Sequence, residues 1–257
     1  FDRQIPDRIS SKVRVKITNK NDPTVFDESN DTTPLSITGQ LNLTAPVGGE
    51  TWYVGDQNTI SWTKIGIIPA VNLQYSVAGG GYNDITDAQN LTGGSFDWIL
   101  PDIVSSQVKV RAINANPAKP TIPGVSPQTF TVKGKLVLTN PVTVGVVWDV
   151  GVDKSITWTR TGSVGNIHLD YDYGSGFATI AGAENLASSL QTFTWNVPNT
   201  VSSNVVLRIV PINASEADQD DSVSFKIAAD LQLDSPLGGE VWVVDDNQPI
   251  TWTKRGT

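Results

Sequence analysis

The chain has 257 residues, with 26 acidic and 18 basic side chains, a formal net charge of −8, and neither cysteine nor methionine. An acidic balance of this kind excludes the basic stripe that nucleic-acid binding needs. The missing cysteines exclude disulfides, zinc–thiolate sites and thiol chemistry, and the apolar runs, such as 144–150, are too short to span a bilayer.

Read from the amino terminus, Phe1-Asp-Arg3-Gln-Ile-Pro6 is followed by Ser10-Ser11 and Val13-Arg14. Next comes Pro46-Val-Gly48-Gly49-Glu50-Thr-Trp52-Tyr-Val-Gly55, then Ile60-Ser-Trp62-Thr-Lys64. Apolar residues two apart predict strands near 40–45, 58–63, 71–77, 82–86, 95–99, 107–113 and 128–132. Ile60 with Trp62, Val71 with Leu73 and Tyr75, and Phe96 with Trp98 each fall on one face of a strand, as the inside of a sandwich requires. Gly79-Gly80-Gly81 marks a hairpin.

The pattern then starts again. Trp148, Gly151, Ile156-Thr-Trp158-Thr-Arg160 and the hairpin glycines Gly174 and Gly176 repeat the first set. Phe193-Thr-Trp195-Asn-Val-Pro198, Ser202-Ser203 and Leu207-Arg208 repeat Phe96-Asp-Trp98-Ile-Leu-Pro101, Ser105-Ser106 and Val110-Arg111. A third start follows in Pro236-Leu-Gly238-Gly239-Glu240-Val-Trp242 and Ile250-Thr-Trp252-Thr-Lys254. The offsets define a module of about 95 residues. The boundaries divide the chain into the carboxy-terminal part of one repeat (1–38), two complete repeats (39–134 and 135–229) and the amino-terminal part of another (230–257). The chain begins and ends out of phase with this repeat, so a window from a longer protein is expected, or else completion of the broken repeats by a neighbouring molecule. About three residues separate the last strand of one repeat from the first of the next, so a stiff array is expected.

Seven strands in about 95 residues is the footprint of an immunoglobulin-like β-sandwich, and the fold class is all-β. The eight tryptophans, Trp52, Trp62, Trp98, Trp148, Trp158, Trp195, Trp242 and Trp252, occupy three repeat positions and form the expected core signature. Burying one such ring removes about 200 Å² from water, worth about 5 kcal/mol.

The string Pro-x-Gly-Gly-Glu-x-Trp-x-x-Gly, Ile-x-Trp, Phe-x-Trp-x-x-Pro and Val-x-Arg resembles an immunoglobulin-like repeat of bacterial secreted and surface proteins. It is also similar to the amino-terminal module of the yeast cell-wall proteins of the Kre9/Knh1 family. The resemblance covers essentially the whole chain and implies spacers, stalks and anchors in large proteins. Two departures stand out: Pro141-Val-Thr-Val-Gly145-Val-Val-Trp148 replaces the glycine–glutamate corner, and Arg3 replaces a tryptophan.

Candidate chemistry is sparse. His168 is the single histidine, without the recurring serine and acid that a triad needs. Asp218, Asp220 and Asp221, with Asp27, Glu28 and Asp31 in the corresponding loop, are the candidate calcium ligands, since hard oxygens cluster this way; a solvated loop is the alternative. Arg14, Arg111 and Arg208 recur at one strand position, and Lys64, Arg160 and Lys254 at another, either as a ligand stripe or as charges packed on rings and acids. Tyr53 and Tyr82 are the aromatics a sugar-binding face would use, but neither has an aromatic counterpart in the next repeat, where Asp149 stands opposite Tyr53. Asn30, Asn42, Asn90 and Asn213 open Asn-x-Ser/Thr sequons. The resulting expectation is a non-enzymatic, extracellular, prokaryotic surface component: a stalk, adhesin shaft or filament without a cofactor. Its partners would be copies of itself, other surface proteins or glycans. The alternative is a carbohydrate- or cell-wall-binding or spacer module on a secreted enzyme.

Overall fold

The computed structural model describes residues 2–29 and 32–256. Phe1, Asn30, Asp31 and Thr257 lie outside the described residues, and with them one repeat landmark, one sequon and one acid of the amino-terminal loop. The chain forms two compact units, residues 1–133 and 134–257, so each partial repeat groups with the complete repeat beside it.

The first unit opens with β1 (Ser10–Val13), β2 (Lys16–Thr18), β3 (Phe26–Glu28) and β4 (Leu35–Ile37). β1 pairs with β4 and β2 with β3, both antiparallel. The complete repeat follows as β5 (Gly39–Ala45), β6 (Thr51–Tyr53), β7 (Gln57–Ile65), β8 (Val71–Val77), β9 (Asn83–Asp84), β10 (Ser95–Ile99), β11 (Ser105–Asn114), β12 (Thr121–Ile122), β13 (Gly124–Val125) and β14 (Phe130–Lys133). One sheet has the order β10-β7-β5-β12, the other β6-β14-β11-β8-β9, with β13 on β11.

The opening strand is shared between the sheets. β5 pairs antiparallel with β7, whereas β6 runs parallel to β14. Pro46 has no N–H for a ladder, and Gly48 and Gly49 sit at φ 111 and 83, where a side chain is disfavoured. These residues end β5 and carry the chain to the opposite sheet. Between the sheets, Leu41, Leu43, Ile60, Trp62 and Trp98 face Leu73, Val108, Val110, Phe130 and Val132 in one buried cluster.

The second unit repeats this plan with β15 (Lys135–Asn140), β16 (Val147–Asp149), β17 (Asp153–Thr161), β18 (Asn166–Asp172), β19 (Ala178–Thr179), β20 (Leu186–Ala187), β21 (Thr192–Asn196), β22 (Ser202–Pro211), β23 (Asp220–Asp221) and β24 (Phe225–Ala228). Its sheets are β15-β17-β21 and β16-β24-β22-β18-β19, with β20 on β18 and β23 on β22. β16 runs parallel to β24, as β6 does to β14. Last come β25 (Asp230–Ser235) and β26 (Thr251–Arg255), paired only with each other. Apart from one short 3₁₀ turn at Ser188–Leu190, every regular element among the described residues is a strand.

The protein is therefore all-β, a tandem of immunoglobulin-like sandwiches. Three details differ from the sequence reading. The strands β6, β12 and β13 are additional, each only two or three residues long. The connections are shorter than three residues: Thr38, Gly134 and Ala229 alone separate β4 from β5, β14 from β15 and β24 from β25. Trp242 and Trp252 are 45% and 62% exposed, because no second sheet covers β25 and β26 among the described residues.

Candidate functional site

The six tryptophans of the complete repeats are buried. Trp52 packs edge-on to Trp98 at 6.4 Å and lies 4.6 Å from Phe130, while Tyr75 leans on Trp98 at 5.5 Å. Trp148, Trp195, Phe225 and Tyr171 reproduce the arrangement at 6.0, 4.7 and 5.3 Å. The remaining pair differs in its polar edge. Trp158 Nε1 donates to the Ser188 carbonyl at 2.8 Å, whereas the buried Trp62 Nε1 has no acceptor within the protein.

The glycine–glutamate corner is a backbone cap. The Glu50 carboxylate accepts from the N–H groups of Val47 and Gly48, both at 2.7 Å. Glu240 does the same for Leu237 and Gly238 at 2.8 Å. Backbone hydrogen bonds, first from its own N–H and then from Leu237 and Gly238, hold Glu240 below the usual carboxylate range. In the middle repeat Val146 takes the glutamate's place and packs against the core instead.

The recurring arginines are clamped between a ring and a polar partner. Arg111 lies 3.9 Å above the Tyr82 ring and donates from Nε to Gln74 at 2.7 Å. Arg208 lies 3.7 Å above Phe177 and makes a two-pronged contact with Asp221 at 2.6 and 2.7 Å. Those hydrogen bonds raise the Arg208 pKa, and the charges of Asp221, Asp170 and Asp172 add to the effect against desolvation. In the amino-terminal segment Arg14 reaches Glu28 at 3.6 Å, and it is Lys16 that covers a ring, Phe26, at 3.6 Å. Tyr82 therefore does have an aromatic counterpart, Phe177, which the sequence reading missed. The signal was present: each ring directly follows the last glycine of its hairpin, Gly81 and Gly176. Each ring carries an arginine over one face. Lys64 and Arg160 are anchored as well, to the carbonyls of Thr92 at 2.9 Å and Val164 at 3.1 Å.

The acidic loop does not gather into a cation site. Asp221 is committed to Arg208, and Asp220 accepts the Leu138 N–H at 2.7 Å. Among the described residues no group of three or more His, Asp or Glu side chains is placed to hold a metal ion. In the other acidic loop, Glu28 pairs with Lys16 at 3.2 Å. His168 Nε2 lies 3.3 Å from Asp170, two residues along β18. Of the sequon asparagines, Asn42 accepts from Gln40 within β5, Asn213 donates to Glu216, and Asn90 is an exposed turn residue at φ 58.

One joint between repeats lies inside the first unit. Ile9 is 7% exposed and stands against Gly39, Gly66 and Ile68, close enough that a Cβ on Gly39 would meet its Cδ1. Asp7 Oδ1 accepts the Ile67 N–H at 2.7 Å, and Lys119 Nζ donates to the Ile9 carbonyl at 3.1 Å. Beside the joint runs an open groove of about 870 Å³ lined by Asp7, Arg8, Pro69, Asn116 and Lys119.

The fold and these clamps define a tandem β-sandwich protein. No protein-family model and no curated protein sequence matches the chain. Among solved structures it is similar to the fibronectin(III)-like modules of Clostridium thermocellum CbhA, at 20% identity and TM-score 0.25, over 73% of this chain and 92% of that one. It is similar to a titin immunoglobulin tandem at 11% identity and TM-score 0.28, over 75% and 99%. The eight amino-terminal immunoglobulin domains of Down Syndrome Cell Adhesion Molecule match at 11% identity and TM-score 0.31, over 81% and 30%. The fold assignment rests on the sheets themselves. No helix among the described residues is long and apolar enough to cross a membrane.

Proposed function

We propose that the chain is a non-enzymatic structural segment of a prokaryotic cell surface, part of a multi-repeat stalk, adhesin shaft or extracellular filament. The observation that carries this reading is the packed joint of the first unit. A freely hinged string of binding modules has no need to bury Ile9 or to tie Asp7 to Ile67 and Lys119 to Ile9. Such joints resist bending, which is the property a stalk requires. The recurrence of buried tryptophan and clamped arginine in both complete repeats supports it too, because fold requirements recur while ligand sites rarely do.

Electron microscopy of native, untruncated material tests the proposal. Regular fibres or stalks with a spacing near one module, about 35–45 Å from the strand rise and end loops, are expected. Dispersed flexible beads ending in a large globular domain would reject it and make these repeats a spacer for an activity located elsewhere.

A further inference from the structure

The two sheets that begin with β5 and β15 treat their two edges differently. On one side the edge is covered. β12 pairs parallel with β5, and in the second repeat the Asp220 carboxylate occupies the Leu138 N–H of β15. On the other side β10 and β21 are terminal strands, each paired only with β7 or β17. A terminal strand presents unpaired N–H and C=O groups to any extended partner, and an outward charge is a common protection. β10 has that protection in Asp97, held by Thr59 Oγ1 at 2.6 Å. β21 has Thr194 at the same position, exposed and opposite Ser155. Along the chain no charged residue lies between Glu184 and Arg208; the carboxylate beside the strand, Asp153 of β17, is held by Asn196 Nδ2 at 2.8 Å. In a chain of net charge −8, two copies repel at most approaches, and β21 itself adds no charge to that repulsion.

We infer that β21 is a self-association edge. Two copies pair β21 with β21, antiparallel about Thr194, so that Thr192 of one stands opposite Asn196 of the other. The two β15-β17-β21 sheets then become one six-stranded sheet across a two-fold axis. Phe193, Trp195 and the β-branched threonines favour the extended conformation this needs. β10 cannot pair with itself in the same way, because Asp97 would face its own copy across the axis. The inference rests on the structural reading above in taking a second copy as the occupant.

Sedimentation equilibrium of the 257-residue chain tests it, with Thr194→Asp, Thr194→Ser and, separately, Asp97→Thr. The parent chain and Thr194→Ser are expected to form a concentration-dependent dimer. Thr194→Asp should weaken it at least tenfold with an unchanged circular dichroism spectrum, and Asp97→Thr should add a second association step. A parent chain that stays monomeric from micromolar to millimolar, or a Thr194→Asp chain that dimerises equally well, overturns the proposal. Fibres of native material combined with a monomeric chain would remove this edge and leave the stalk reading intact.

Discussion

At the residue scale, matched positions of the two complete repeats serve as internal controls. Trp62 and Trp158 share strand position and burial, yet only Trp158 has an acceptor for its indole N–H. Replacing Trp158 by phenylalanine loses the indole's extra volume and strands the Ser188 carbonyl, whereas at Trp62 the same volume is lost together with an N–H that has no acceptor. An unmade buried hydrogen bond costs about 1–3 kcal/mol. Trp158→Phe is therefore expected to cost about 1 kcal/mol more than Trp62→Phe, read by urea unfolding of each variant; equal costs would show that the Ser188 contact contributes nothing. Asp172 offers a pH-dependent counterpart. Its Oδ1 accepts the N–H groups of Gly174, Ser175 and Gly176. The bond from Gly174 is the largest cause of its lowered pKa; burial opposes it, while Gly176, Ser175 and the Arg208 charge add to it. A depressed carboxylate stabilises the folded state fully above its unfolded pKa of about 4 and loses that contribution as pH falls through the folded value. Asp172→Asn keeps an acceptor but cannot titrate. Its melting temperature should lie below the parent's at pH 7, and the two should converge below about pH 4; a constant difference from pH 7 to pH 3 would show that the ionised form contributes nothing.

At the element scale, the short strands decide how the sandwich closes. β13 belongs to the second sheet, with Gly124 opposite Ala112, but it also passes directly beside β5. A Cβ on Gly124 would come within 2.8 Å of the Leu43 nitrogen and 2.9 Å of the Leu41 oxygen, both backbone atoms that cannot rotate away. Gly124→Ala is expected to cost about 1–3 kcal/mol as overpacking, while Gly81→Ala, which meets nothing within 4 Å, should be near neutral by the same chemical melt. Indistinguishable midpoints for the two would contradict the close approach of β13 to β5. This contrast also marks the limit of what the sequence could reveal. Strands with one buried face announce themselves by alternation, and β7, β8, β10 and β11 fall within two residues of their expected ends. β6 buries only Trp52, and β12 and β13 are held by glycine contacts and by partners distant in sequence, so they have no period to detect. The arginine clamps were half legible: the arginines recur visibly, but Asp221 in one repeat and Gln74 in the other reach them from different strands. Chain order alone does not show that these two residues do one job.

At the scale of the whole molecule, the recurring feature is economy of connection. One residue separates the last strand of a repeat from the first strand of the next at all three boundaries. A one-residue connection cannot act as a flexible linker, yet it does not by itself create a stiff joint, because adjacent domains can still rock about a single backbone position. What distinguishes the two cases is whether the joint's contacts open together. In the first unit the Asp7–Ile67 and Lys119–Ile9 hydrogen bonds are exposed or half-buried, so neither is worth much alone, and the buried Ile9 side chain is the group that excludes water from both. Ile9→Ala leaves Asp7 and Lys119 in place and tests that coupling directly. If the joint is one cooperative unit, the Ile67 amide should exchange with solvent deuterium about tenfold faster in Ile9→Ala, a loss of about 1.4 kcal/mol of local protection. The Leu73 and Val110 amides in the core of the same sandwich should be unchanged. An Ile67 amide that exchanges at the parent rate would mean that Asp7 holds it independently, and the stiffness expected of a surface stalk would then have to come from outside this joint.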